Sequence, residues 1–284
     1  MEFMKWHGLG NDFILLDCRK KNIALTAVAV VAMCDRHVGI GADGVVRILP
    51  PRTSEAIAAM EIYNADGTIA EMCGNALRCV AKMLAPENAD APSLRIDTSA
   101  GTLEAMLCRM NGQDEMAVRV NMGIPGLRRR DVGIDDDGEA LAQSIPITVD
   151  NSVLPFTGVS MGNPHAVTFV TDVDSVPLER WGPQVETAAV FRHRTNAEFV
   201  EVVPSGLRMR VWERGVGITK ACGTGACAAM VAAVQNGLVS TRATVLLDGG
   251  TLAIEWKGNG CPVYMTGPAV HVYDGIIKGS KGDA

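Results

Sequence analysis

The sequence predicts an α+β protein of two pseudo-symmetric lobes, each with mixed and antiparallel strands wrapped around a central helix. Three observations lead there. Short apolar runs bounded by Gly, Pro, Asn and Asp recur along the chain and read as strands. Two segments, Asn75 to Ala85 and Cys222 to Asn236, are apolar nearly all round, the mark of a helix buried on every side. Both open alike: Met72-Cys73-Gly74-Asn75 in one and Ala221-Cys222-Gly223-Thr224 in the other.

Phe13-Ile14-Leu15-Leu16-Asp17 is a continuous apolar run after Gly10-Asn11-Asp12 and reads as a buried strand. Thr26 can cap a short helix to Met33. Val45 to Leu49 and Ala58 to Asn64 are strands, the second closed by the turn Ala65-Asp66-Gly67-Thr68. The first cysteine helix follows and stops before Pro86. Leu94 to Asp97, Leu103 to Cys108 and Met116 to Val120 form an antiparallel meander. Arg128-Arg129-Arg130 and Asp135-Asp136-Asp137 read as the two sides of a solvated hairpin whose charges cancel. Strands resume at Ile145 to Val149 and Val167 to Val170, with a helix over Pro177 to Thr187. Phe199 to Val203 and Leu207 to Trp212 are strands leading to the second cysteine helix. Gly237 suits the left-handed position just past its end. Strands fill Val245 to His271.

The chain has 284 residues, 48% of them hydrophobic, enough to bury a sizeable core in one large or two medium domains. A net charge of -6 argues against a nucleic-acid surface. Eight cysteines are too sparse for a disulfide scaffold, and the N-terminus lacks a secretory pattern. The longest apolar run, Ile23 to Cys34, is too short to span a bilayer. A soluble cytoplasmic protein with reduced thiols is expected.

An internal repeat underlies the two lobes. Cys222 follows Cys73 by 149 residues, and Gly162-Asn163 follows Gly10-Asn11 by 152. Asn64 lies nine residues before Cys73, and Glu213 nine before Cys222. Two copies of one plan would bring both cysteines to one cleft. A thiol at a helix N-terminus has its thiolate favoured by the dipole, and the N–H groups there suit a carboxylate. Opposed across an amino-acid Cα, one thiolate takes the proton from one face while the other thiol returns one to the opposite face. N–H donors from both helices would meet the charge that develops on the carboxylate.

Cys18, Cys34, Cys79, Cys108, Cys227 and Cys261 read as apolar fillers. The Cys73–Cys79 and Cys222–Cys227 gaps do not fit structural zinc, so no metal site is assigned. Gly39-Ile40-Gly41-Ala42-Asp43-Gly44 matches G-x-G-x-x-G but lies between a helix and a strand, the reverse of a dinucleotide site. It reads as a tight loop. No pyridoxal motif is evident.

Lys5 to Asp17 with its His7-Gly8-Leu9-Gly10-Asn11-Asp12-Phe13, Met72 to Arg78, Met161-Gly162-Asn163-Pro164-His165, Glu213-Arg214-Gly215, Ala221 to Ala226 and Met265 to Gly275 together resemble the diaminopimelate epimerase family over essentially the whole chain. The resemblance implies cofactor-independent, two-base interconversion of LL- and meso-diaminopimelate by a cytoplasmic homodimer. It implies lobes at residues 1–120, carrying Cys73, and 121–267, carrying Cys222, with 268–284 as a final strand returning to the first lobe. Cys73 and Cys222 are then the acid/base pair, with His165 and Glu213 assisting their proton traffic. Gly74, Asn75, Gly223 and Thr224 receive the reacting carboxylate. Asn11, Asn64, Asn163, Asn196, Glu213 and Arg214 hold the remainder. Arg214 suits the distal carboxylate, against the plainer reading of an ion pair with Glu213. Some family members have Gln where this chain has Gly44. A proline or hydroxyproline racemase is the alternative enzyme, although such chains typically place His at the position of Asn75. A non-catalytic member of the fold would be expected to lack one of the two cysteines.

Overall fold

The computed structural model describes residues 1–70, 72–88, 93–109, 116–135 and 139–277. The chain divides into two units, Met1–Val120 with Gly267–Ala284, and Asn121–Thr266. No helix among the described residues is long and apolar enough to cross a membrane.

The first unit contains β1 (Glu2–Gly8), β2 (Asn11–Asp17), α1 (Ala27–Cys34), β3 (Gly44–Leu49), β4 (Ala58–Asn64), β5 (Ile69–Ala70), α2 (Gly74–Leu84), β6 (Leu94–Thr98), β7 (Gly101–Arg109) and β8 (Met116–Asn121). β2 lies between two helices. Ile14 and Leu16 pack with Val30, Met33 and Cys34 of α1, while α2 packs against β1, β2, β4 and β7. Burial on both faces is why β2 reads as an unbroken apolar run. Thr26 caps α1 by accepting from the Ala29 amide at 3.2 Å.

The second unit contains β9 (Ile145–Val149), β10 (Ser152–Ser160), β11 (Pro164–Phe169), α3 (Leu178–Glu186), β12 (Asn196–Val203), β13 (Gly206–Glu213), β14 (Gly217–Ile218), α4 (Gly223–Gln235), β15 (Arg242–Leu247), β16 (Gly250–Trp256) and β17 (Val263–Gly267). Phe156 and Phe199 meet edge to face, their centroids 6.2 Å apart, in the layer beneath α3. Alternation along β12 then turns Glu198 and Val200 to the opposite side. Helix α4 packs against β10, β11, β12, β13, β15 and β16. Every side chain from Ala226 to Ala233 is fully buried. Its alanines form helix readily and let strands approach from all sides. Gly237, with φ +69°, closes the helix in the left-handed region as expected.

The strand pairings repeat. β1/β2, β3/β4, β6/β7 and β7/β8 are antiparallel, whereas β2/β3 and β4/β6 are parallel. In the second unit β10/β11, β12/β13, β15/β16 and β16/β17 are antiparallel, whereas β11/β12 and β13/β15 are parallel. Gly10 and Gly162, both with positive φ, occupy the matching turns that precede Asn11 and Asn163. The last strand, β18 (Val270–Ile276), pairs antiparallel with β1.

Four details depart from the sequence reading. The repeat-equivalent strands β1 and β10 escape it because polar residues break their apolar pattern. Lys5 of β1 is buried against Asp12 and the Gly41 carbonyl. In β10, Pro155 lies opposite Pro146 of β9 and outside the β11 ladder, which begins at Thr157. The antiparallel partners of Arg128 and Arg129 are Leu141 and Ala140, while Asp135 pairs with Arg192. A 3-10 turn spans Arg129–Val132, closed by Asp131 accepting from the Arg128 amide at 2.9 Å. Glu139 balances Arg130 at 3.1 Å; Asp136 and Asp137 lie outside the described residues. Past α2, a 3-10 turn over Ala85–Asn88 carries Pro86, which needs no N–H there. β11 begins at Pro164, which places His165 inside the sheet.

Candidate active site

In the first unit, Cys73 is the N-cap of α2, with extended backbone and a half-buried side chain. Gly74 and Asn75 begin the helix and are both buried. The Asn75 amide donates to Asn11 Oδ1 at 3.1 Å, and the Cys73 sulfur lies 3.7 Å from that same oxygen. Asn11 Nδ2 donates to Asp43 Oδ2 at 3.0 Å, which fixes the amide with its carbonyl toward the thiol. Asp43 is held in turn by Arg36 at 2.8 Å. Asn64 ends β4 and commits its amide to Thr68 Oγ1 at 3.0 Å, not to Asn11 or Cys73. Gly44 lies across from Asn64 in the β3/β4 ladder. A Cβ there would stand 2.5 Å from the Tyr63 carbonyl, so the neighbouring backbone leaves no room for a side chain at this position.

In the second unit, Cys222 is the N-cap of α4 and only 5% exposed. Its sulfur accepts the Gly225 amide at 3.3 Å and lies 3.5 Å from Thr224 Oγ1. Gly223 is buried at the first helical position. Asn163 Nδ2 reaches Thr224 Oγ1 at 3.5 Å, and Asn163 Oδ1 lies 3.0 Å from His165 Nε2. Glu213 ends β13 and accepts the Thr219 hydroxyl. Asn196 donates to the Pro164 carbonyl at 2.8 Å and accepts the Arg214 amide at 2.9 Å, so both ends of its amide hold backbone. The Arg214 guanidinium donates to the His193 carbonyl at 3.2 Å.

The electrostatics correct one expectation. A helix N-terminus alone would lower a thiol pKa. Burial instead pushes the Cys222 thiol well above its ordinary value, and the Glu213 and Glu198 carboxylates push the same way. The Thr224 hydroxyl and Gly225 amide only partly offset this. Burial likewise raises the Glu213 carboxyl, against the hydrogen bonds from Thr219 and Cys222. Cys222 thus rests as a protonated thiol beside a carboxyl group that holds its proton more tightly than usual.

His165 is fully buried and occupies both ring nitrogens away from the sulfur, with Glu198 and Asn163. Glu198 and Asp43 both shape the site, yet neither stands out in the sequence. The available signal for Glu198 was a carboxylate interrupting the strand Asn196–Val203 on its buried face. Of the six filler cysteines, Cys108 and Cys261 are half-buried and the rest buried.

The fold is shared with solved proteins of low sequence identity. A PhzF-family phenazine biosynthesis protein from Bacillus anthracis superposes with TM-score 0.69 at 15% identity, covering 96% of this chain and 97% of that one. A hydroxyproline epimerase from Agrobacterium vitis gives 0.67 at 16%, covering 97% and 91%. These place the chain in a class of α+β proteins whose repeated units enclose a helix. The family model for diaminopimelate epimerase matches residues 3–127 and 157–272. The diaminopimelate epimerase of Pelotomaculum thermopropionicum is 48% identical over 280 residues, 97% of this chain and 98% of that protein. That of Microcystis aeruginosa is 49% identical, covering 96% and 98%. The chain belongs to the diaminopimelate epimerase family.

Proposed function

We propose that this chain interconverts LL- and meso-2,6-diaminopimelate without a cofactor, using Cys73 and Cys222 on opposite faces of one Cα. One observation carries the reading: two cysteines at repeat-equivalent N-caps, each with an Asn from the matching turn at its helix. In one direction the Cys73 thiolate takes the Cα proton, and the electron pair left on carbon takes a proton from the Cys222 thiol. The reverse reaction exchanges the roles. Glu213 is the group that accepts the proton of Cys222 when that sulfur must act as base, which its half-buried, raised carboxyl suits. Amide N–H groups at Gly74-Asn75 and Gly223-Thr224 receive the reacting carboxylate. His165 supports the proton traffic indirectly, through Asn163 and Glu198, while Asn11, Asn64, Asn163, Asn196 and Arg214 hold the remainder of the substrate.

Incubation of LL-diaminopimelate with the enzyme in deuterated water tests this. Meso product carrying deuterium at Cα is expected. Absence of both isomerisation and exchange overturns the reading. The family resemblance also supports a cytoplasmic homodimer, for which light scattering gives twice the 30.1 kDa chain mass.

A further inference from the structure

We infer that Glu198 is a positioning residue, which through His165 fixes the amide of Asn163 and holds a carboxylate against the first turn of the Cys222 helix. The inference rests on the reading of Cys222 as an acid/base group. Glu198 and His165 are both completely buried, with Oε1 and Nδ1 2.6 Å apart. The other ring nitrogen meets Asn163 Oδ1 at 3.0 Å. An amide oxygen and an ionised carboxylate both only accept, so this arrangement needs a proton on each ring nitrogen of His165, Nδ1 donating to Glu198 and Nε2 to Asn163. That turns the NH2 end of Asn163 toward Thr224, beside the thiol. In the first unit Asn11 has the opposite orientation, because Asp43 holds its NH2 end and its oxygen faces Cys73. The two repeat-equivalent amides therefore present opposite ends to their helices, each fixed by a charged residue on the adjoining segment.

The contact with α4 is equally specific. A Cβ at Gly225 would lie 2.8 Å from Glu198 Oε1 and 3.2 Å from Cys222 Sγ, so only glycine lets carboxylate and thiol share that turn. Three residues past Cys73 the corresponding position is Ala76. The ladders β2/β3 and β11/β12 align Phe13 with Gly44 and His165 with Asn196. Phe13 and Val46 thus stand in the first unit where His165 and Glu198 stand in the second. The first unit has no counterpart of the pair at those positions. Glu198 Oε2 is buried with no hydrogen-bond partner, near the positive end of α4. The ionisable groups facing Cys222 are Glu213 from β13, Glu198 from β12 and its partner His165 from β11, and both carboxylates disfavour the thiolate.

Two substitutions in the full-length chain separate the charge from the hydrogen bond. In a Cys73→Ala background, iodoacetamide alkylation of Cys222 is followed across pH by mass spectrometry of its peptide. Glu198→Gln keeps shape and hydrogen bonding but removes the charge. The alkylation curve should move to lower pH, with a rate at fixed pH about tenfold higher, equivalent to one unit. An unchanged curve overturns the inference. In the otherwise wild-type enzyme, Glu198→Ala removes the support of His165 as well, and KM should rise about tenfold, while Glu198→Gln stays within about twofold. Equal KM in all three enzymes overturns the positioning role. If Glu198→Ala does not fold, the Glu198→Gln alkylation curve decides alone. Alkylation needs no substrate, so a wild-type enzyme inert on diaminopimelate refutes the proposed function without touching this measurement.

Discussion

Glu213 stands in the second unit where Asn64 stands in the first. Each is the last residue of its strand, and each precedes its helix-capping cysteine by nine positions. The neutral member hydrogen-bonds within its own turn, while the acidic member is half-buried beside Cys222. The exchange of amide for carboxylate gives one thiol a proton acceptor that the other lacks at this position. Glu213→Gln should lower kcat by about 10²–10⁴, the usual span for a general base, with little change in KM. The acid limb of the pH–rate profile should lie above the ordinary glutamate value of 4.5, because burial raises this carboxyl and its neutral form accepts no proton. The limb should vanish in the variant. Wild-type kcat in Glu213→Gln would remove Glu213 from the proton path.

Cys73→Ala and Cys222→Ala each leave one face of Cα without its acid or base. Each should lose epimerisation by about 10²–10⁴ or more. Chiral chromatography of product from LL-diaminopimelate reads the loss. Near-normal turnover in either single variant rules out a two-thiol reaction.

What could be read from the sequence were features set by local chemistry. Cys73 and Cys222 were legible because a small polar N-terminus precedes a largely apolar helix, and Gly10 and Gly162 because tight turns demand positive φ. β2 was legible because both its faces are buried. The Glu198–His165 pair was not legible, since the two partners are 33 residues apart and meet only through a parallel ladder. For the same reason Asp43 gave no sign that it orients Asn11. The resting state of Cys222 was not legible, because the helix dipole is visible in sequence, whereas two carboxylates arriving from other strands are not.

Buried thiols make the fold sensitive to alkali. Burial pushes Cys34 up to about 11 and Cys79 to about 12, against an ordinary 9.0. The folded state keeps protons that the unfolded chain releases. Their stabilisation is therefore complete below 9.0 and is lost as pH rises toward the folded values. Cys79 alone should account for roughly 3 kcal/mol of loss between pH 9 and 11, at about 1.4 kcal/mol per unit. Urea unfolding at both pH values checks this. Cys79→Ala, less stable at neutral pH through its cavity, should show a flatter decline, and an identical slope would contradict the assignment.

Arg78 ties the C-terminal segment of the first unit to the cysteine helix. It is fully buried, donating to the Pro268 carbonyl at 3.1 Å and to Asn75 Oδ1 at 2.8 Å. Lys82, one turn further along α2, reaches the Ala269 carbonyl at 2.7 Å. Both acceptors precede β18, which pairs with β1. The guanidinium also closes against Gly8, where a Cβ would stand 2.9 Å from Nη2. Arg78→Met fills much of the volume but leaves two buried oxygens without these donors, each costing about 1–3 kcal/mol. The urea midpoint should fall by an amount equivalent to about 3 kcal/mol with an unchanged slope. Hydrogen exchange should accelerate at the amides of β18 before those of β17, because the lost bonds hold Pro268 in the first unit. Asn75 also loses the partner that orients its donation to Asn11, so kcat should fall in the same variant. Uniform acceleration across β17 and β18 would show that Arg78 supports global stability rather than this tether.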